Sequence, residues 1–242
     1  MQGKTIIVTG AARGIGAAIA RRCVHEGATV IGCGLDEKAL TLFANEVASQ
    51  QFVPFRVDVA QLDDIVQFFA RMRQENRSLD GLVNNAGVYL GKTLLEYSRE
   101  EIDHVLTTNI NGAVYFSQQF GKYVLGRKDC GVIVNIASVS GQEGSSDAIY
   151  GLSKAALIGL TKSCAMNFAP HIRVNAVAPG VVETRMLEVI PKWRLEEYRA
   201  HELVKDPIRP EAVANTVAFL LSEQGKHYTG AVFDLNNGCY LR

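Results

Sequence analysis

Short apolar runs rich in β-branched residues alternate along this chain with longer stretches whose apolar positions recur at helical spacing. Thr5-Ile6-Ile7-Val8, ending at Gly10, reads as a buried parallel strand. From Ile15 to Glu26 the apolar residues follow a helical period, and Gly27 ends that helix. The same patterns predict strands at 28–31, 52–59, 79–83, 132–136, 172–177 and 231–235. They predict further helices at 37–49, 62–74, 99–125, 148–168 and 210–221. Such regular alternation implies right-handed βαβ units, and hence an α/β fold: one doubly wound parallel sheet with helices on both faces. No linker, low-complexity tract or repeat interrupts it, so residues 1–242 read as a single domain. The stretch 182–207 breaks the rhythm. It is polar, holds the only tryptophan, Trp193, and follows the end of a strand, where a substrate lid or a peripheral pair of surface helices would fit.

Composition narrows the classes of function. The chain is 48% hydrophobic, enough for one substantial core. Lys and Arg (25) balance Asp and Glu (25), so the basic excess selected by nucleic acid or an anionic membrane surface is lacking. No apolar run approaches the ~18 residues of a membrane helix. The start, Met1-Gln2-Gly3-Lys4, lacks the layout of a signal peptide. Cysteines at 23, 33, 130, 164 and 239 form no Cys-x-x-Cys pair, which points to a reducing cytoplasm and not to a disulfide framework. The histidines stand outside any His-Glu-x-x-His pattern, so no metal is expected.

The first candidate chemistry is the pair Tyr150 and Lys154, one helical turn apart and so on one face. A phenol with an ordinary pKa near ~10 is a poor base at neutral pH. An adjacent ammonium favours the phenolate, so Lys154 is expected to lower the pKa of Tyr150 and make the pair a proton-transfer device. The second is the glycine-rich turn Thr9-Gly10-Ala11-Ala12-Arg13-Gly14-Ile15-Gly16 between the first strand and the first helix. Backbone amides in such a turn, together with the helix N-terminus, suit a pyrophosphate. At the end of the second strand an acidic residue normally bonds the ribose hydroxyls and repels a 2′-phosphate. Here Gly34 takes that position, followed by Leu35 and Asp36, and Arg13 offers a bidentate phosphate contact. Both favour NADP(H); Asp36, two residues on, keeps NAD(H) open.

With the Thr9-to-Gly16 turn, Asn84-Asn85-Ala86-Gly87, Ser138, Tyr150-x-x-x-Lys154 and Pro179-Gly180 in order, the chain resembles the short-chain dehydrogenase/reductase family over essentially its whole length. Within that Rossmann-like family it looks most like 3-oxoacyl-carrier-protein reductases and small-alcohol dehydrogenases. The resemblance implies roles. Tyr150 is the general acid in reduction and base in oxidation, Lys154 lowers its pKa and holds the nicotinamide ribose, and Ser138 binds the substrate oxygen. Asn109 anchors a water chain to Lys154, with Asn111 as its rival. Asn85, Ala86 and Gly87 line the adenosine side, Asp58 and Val59 meet the adenine, and Pro179, Gly180, Val182 and Thr184 close on the nicotinamide. The implied substrate is a small carbonyl or alcohol, carrier-protein-linked in the reductase case, and the implied assembly is a homotetramer or homodimer.

The chain departs from the family pattern at three places. Ser138 precedes Tyr150 by one residue fewer than in many relatives, which shortens the loop 142–147. The strand-end acid is replaced by Gly34, and Asn236-Asn237-Gly238 stands where Asp-Gly-Gly is common. Two other classes compete. Gly151-Leu152-Ser153-Lys154-Ala155 faintly resembles a hydrolase nucleophile elbow, and a catalytically silent binding protein would share the fold. For a carrier protein, which is acidic, Arg127 and Lys128 are the candidate basic rim. Met186, Leu187, Ile190 and Trp193 are the expected lid contacts for a medium-sized, partly apolar substrate.

Overall fold

The computed structural model describes residues 1–241. Seven strands, β1 (Thr5–Thr9), β2 (Thr29–Gly34), β3 (Phe52–Arg56), β4 (Gly81–Asn84), β5 (Gly131–Ile136), β6 (Ile172–Pro179) and β7 (Val232–Leu235), form one sheet in the order β3-β2-β1-β4-β5-β6-β7. Every pairing is parallel. The helices are α1 (Gly14–His25), α2 (Glu37–Val47), α3 (Leu62–Gln74), α4 (Arg99–Leu106), α5 (Gly112–Gly126), α6 (Ala148–Phe168), α7 (Lys192–Ala200) and α8 (Pro210–Leu221).

Because strand side chains alternate between faces, each strand feeds two cores. Ile6, Val8 and Val30 pack with Ile19 of α1, Leu40 of α2 and Val217 of α8 on one face. Ile7, Ile31 and Ile133 meet Phe69 of α3 and Phe116 and Phe120 of α5 on the other. Local signals set the helix ends. Asp36 caps α2 by accepting from the Ala39 amide at 3.0 Å, Ser98 and Glu101 form a capping box on α4, and Pro210 opens α8.

The doubly wound sheet agrees with the sequence pattern, and three boundaries differ for physical reasons. The third strand stops at Arg56, because the amide of Asp58 turns away to donate to the Asp64 carboxylate at 3.1 Å. The sixth runs on to Pro179, paired with Leu235. The expected single helix 99–125 is interrupted by a π-turn at Thr107–Asn111, a feature that hydrophobic periodicity does not encode. Among the described residues no helix is long and apolar enough to cross a membrane, and no group of three or more His, Cys, Asp or Glu is placed to hold a metal ion.

Candidate active site

β1 and β4 are neighbours at the centre of the sheet, and the chain leaves their carboxyl ends toward opposite faces, which opens a crevice. A cavity of ≈ 670 Å³ fills it. One end is the β1–α1 turn. Gly10 has φ +66°, and a Cβ there would lie 2.9 Å from Asn85 Nδ2. Asn85 staples the two strand ends: its Nδ2 donates to the Thr9 carbonyl at 2.8 Å and the Gly10 carbonyl at 3.3 Å. The amides of Asn85 and Ala86 both donate to Thr9 Oγ1 at 3.0 Å. Arg13 precedes α1 without supplying a side-chain cap, and the helix has no acid in its first turn. The first amides of α1 therefore lack a side-chain partner beside a cavity lined by Gly10, Arg13, Gly14 and Ile15, which is the chemistry a pyrophosphate requires.

At the other end stand the proton-handling groups. Ser138 follows β5, and Tyr150 and Lys154 project from the first turns of α6; all three line the cavity. Lys154 is buried, and its Nζ donates to the Ile136 carbonyl at 2.8 Å and sits 5.5 Å from the Tyr150 ring centre. Burial pushes Lys154 down to about 8. The Tyr150 side chain opens to the cavity, yet desolvation by its walls pushes the phenol up to about 12; a hydrogen bond with Ser138 opposes this, and Tyr89 and Asp147 add to it. The expected lowering of Tyr150 by Lys154 is thus corrected. The ammonium is itself weakened by burial and directed at Ile136, so the phenol keeps its proton.

Asn109 lies outside the cavity wall, beneath it, where the π-turn carries it inward. Its Nδ2 donates to the Val88 carbonyl and to Ser153 Oγ, both at 3.0 Å, and its Oδ1 accepts from the Val88 amide at 2.8 Å. Its side chain thus clamps the loop after β4. Gly87, which also lines the cavity, packs between it and the lysine: a Cβ on Gly87 would lie 3.3 Å from Asn109 Oδ1 and 3.7 Å from Lys154 Nζ. Ser153 is fully buried and donates to the Tyr150 carbonyl at 2.7 Å, which removes it as a hydrolase nucleophile.

Asn85, Ala86, Pro179, Gly180, Val182 and Thr184 line the cavity as expected positions require. Gly16, Gly34, Leu35, Asp58 and Val59 do not. A Cβ on Gly16 would stand 2.2 Å from the Gly10 carbonyl, so this glycine lets α1 pack on the turn. Asp58 Oδ1 is taken by the Ala60 amide at 2.9 Å. Arg13 is not free: its guanidinium meets Asp36 at 2.6 Å, while the other oxygen of Asp36 holds the Ala39 amide. The Ala39 amide, followed by Arg13, holds Asp36 below the usual carboxylate range.

From the stretch 182–207, Met186, Leu187, Ile190, Tyr198 and His201 line the cavity. Trp193 does not line it. Its ring is 62% exposed on the outer face of α7, under the Arg194 guanidinium at 5.0 Å. Arg127 and Lys128 also fail as a basic rim. They precede β5, whose far end carries Ser138, and Arg127 is engaged with Asp129 at 3.0 Å and Asn76 at 2.7 Å. The sequence reading missed Tyr89, whose ring packs edge-on to Tyr150 at 4.9 Å; an aromatic two residues beyond Gly87 was the available signal. It also missed Arg56, which pairs in register with Gly34.

Fold and crevice define a dinucleotide-dependent oxidoreductase of the doubly wound class. A family model described as "Enoyl-(Acyl carrier protein) reductase" matches residues 10–240. The chain is 35% identical to the 3-oxoacyl-[acyl-carrier-protein] reductase of Thermotoga maritima, covering 100% of this chain and 99% of that one. It is 36% identical to the enzyme of the same name from Aquifex aeolicus, covering 99% and 98%. Among solved structures, a short-chain dehydrogenase/reductase described as glucose/ribitol dehydrogenase from Brucella melitensis superposes with TM-score 0.93 at 29% identity, covering 100% of this chain and 98% of that one. A short-chain dehydrogenase from Burkholderia cenocepacia in complex with NADP gives TM-score 0.90 at 28% identity, covering 98% of each. The protein belongs to the short-chain dehydrogenase/reductase family and is an NAD(P)-dependent oxidoreductase.

Proposed function

We propose that the protein is an NADP(H)-dependent ketone reductase whose preferred substrate is a 3-oxoacyl thioester, presented on a carrier protein. One observation carries this reading: the Tyr150 phenol, the Ser138 hydroxyl and the buried Lys154 meet in the same cavity as an uncapped glycine-rich helix start. The names of the Thermotoga and Aquifex relatives support the thioester, and the NADP complex of the Burkholderia relative supports the cofactor.

The glycine turn and the first amides of α1 would hold the pyrophosphate, Asn85 to Gly87 the nucleoside side, and Pro179, Gly180 and Thr184 the nicotinamide end. When bound, the cofactor supplies the hydride. The residues supply position and a proton. Ser138 and Tyr150 donate hydrogen bonds to the carbonyl oxygen and stabilise its developing charge. Tyr150 then transfers its proton to that oxygen, as its protonated form allows in the reductive direction. Lys154 binds the ribose side and replaces the lost proton. Asn109 holds the Val88 loop and Ser153 in the positions this requires. For NADP(H), Arg13 must turn from Asp36 to the 2′-phosphate. The pair is exposed and weakly held, so a phosphate displaces the carboxylate readily. Exposed Leu152 and Met166 on α6 support assembly as a homotetramer or homodimer, which a monomer in light scattering would refute.

Oxidation of a sugar, polyol or steroid-like alcohol with NAD(H) is the second reading, favoured by Asp36 on the rim and by the name of the Brucella relative. Rates with an acetoacetyl thioester and each reduced cofactor, set against a polyol and steroid-alcohol panel with each oxidised one, decide between them. NADPH-driven thioester reduction should exceed the other rates by at least about tenfold. The reverse ranking selects the second reading, and turnover of nothing selects the silent binding protein.

A further inference from the structure

Asp147, three residues before Tyr150, is fully buried. Among the described residues no lysine or arginine pairs with it. Its carboxylate instead accepts from three elements at once. The Tyr150 amide donates to Oδ1 at 3.0 Å, the Gly91 amide to Oδ2 at 3.0 Å, and the Tyr97 hydroxyl to both oxygens at 2.8 and 2.9 Å. Helix capping alone does not call for this. Asp36 and Ser98 cap α2 and α4 with the same three-residue spacing from exposed positions. A buried carboxylate without a cation is costly and survives only when its hydrogen bonds are filled.

The loop that Asp147 grips at Gly91 is the loop that Asn109 grips at Val88. Between the two anchors stands Tyr89, edge-on to the Tyr150 ring. A Cβ on Gly91 would lie 3.3 Å from the Val189 carbonyl, so the same loop abuts the cover of the cavity. Asp147 therefore joins the start of the catalytic helix, the wall beside the phenol and the segment under the cover.

We propose that Asp147 is a positioning residue for proton transfer: it fixes Tyr150 and Tyr89 relative to each other and keeps a negative charge behind the phenol. The proposal rests on Tyr150 being the proton donor. The groups that face Tyr150 are Ser138, Lys154, Tyr89 and Asp147. Those that face Asp147 are Tyr97, Tyr89 and Tyr150, while Lys92 is engaged with Glu101, and Arg194 acts on Tyr89. The charge disfavours the phenolate and so helps keep Tyr150 in its protonated form.

The test is the pH dependence of kcat/KM for NADPH-driven reduction of an acetoacetyl thioester by the wild type, Asp147→Asn and Tyr97→Phe. Reduction needs the protonated phenol and the Lys154 ammonium that returns its proton, so the alkaline limb belongs to this coupled pair, and a negative charge facing it holds the limb at higher pH. Asp147→Asn removes the charge and should move this limb to lower pH by about half a unit or more. Tyr97→Phe leaves the charge and removes a donor, so it should raise KM with the limb in place. Should Asp147→Asn not fold, Asp147→Ser, which retains the cap, serves in its place. An unmoved limb in a folded Asp147 variant, or an equal shift in Tyr97→Phe, overturns the proposal. Tyr150→Phe run alongside separates the two claims: retained turnover overturns the proton-donor reading and this proposal with it, whereas its loss beside an unmoved Asp147 limb overturns this proposal alone.

Discussion

The interior around Tyr150 and the rim around Arg13 are held in opposite ways. Ser138, Lys154, Asn109 and Ser153 are buried, and the last three are fixed by bonds of 2.7–3.0 Å to backbone or to one another. Their geometry is set before any ligand arrives, which is what general acid catalysis needs. Arg13 and Asp36 are 61% and 48% exposed and bonded to each other. Such a pair is weakly held and exchanges partners at little cost. The interior thus fixes the reaction, while the rim leaves the choice of cofactor to a competition between Asp36 and a phosphate.

Changes on the two sides should therefore separate. After removal of the phenol itself, the largest effect is expected from Lys154→Met, a loss of about 10²-fold in kcat. The same variant should be more stable than the wild type below pH 8. The folded protein disfavours the buried ammonium, at a cost of about 3 kcal/mol for a pKa lowered from 10.5 to about 8. That cost is full below the folded pKa and fades as pH rises from about 8 toward 10.5, so the gain in Tm should shrink across this window. Next in size, Arg13→Ala should weaken NADPH about tenfold in a fluorescence titration and leave NADH within about twofold. Asp36→Asn, which frees the guanidinium, should tighten NADPH about threefold. A fall in kcat at saturating cofactor in either rim variant would break the separation. Smallest of all, Trp193→Ala should leave KM for the carbonyl substrate within about twofold, as for exposed residues generally.

The centre of the sheet was legible because β1, β2, β4, β5 and β6 are buried on both faces and so read as mainly apolar runs; the boundaries of α3, α6 and α8 fall where capping and periodicity place them. The conjunction of Tyr150, Lys154 and the glycine turn was legible because one-turn spacing and a strand–turn–helix order are local. What was hidden is set by tertiary contacts. The π-turn at Asn109 depends on packing of α4 and α5 against α6, the burial of Lys154 reverses the expected effect on Tyr150, and the Arg13–Asp36 pair joins residues 23 positions apart. Trp193 was misplaced because helix periodicity in a charged segment does not tell which face meets the cavity.

The account turns on the Tyr150 phenol, and its most direct test is single-turnover oxidation of bound NADPH by an acetoacetyl thioester in Tyr150→Phe. The account predicts NADPH affinity within about twofold of wild type and a rate lower by about 10³-fold. A rate within tenfold of wild type would show that the proton comes from elsewhere and contradict the assignment of the interior.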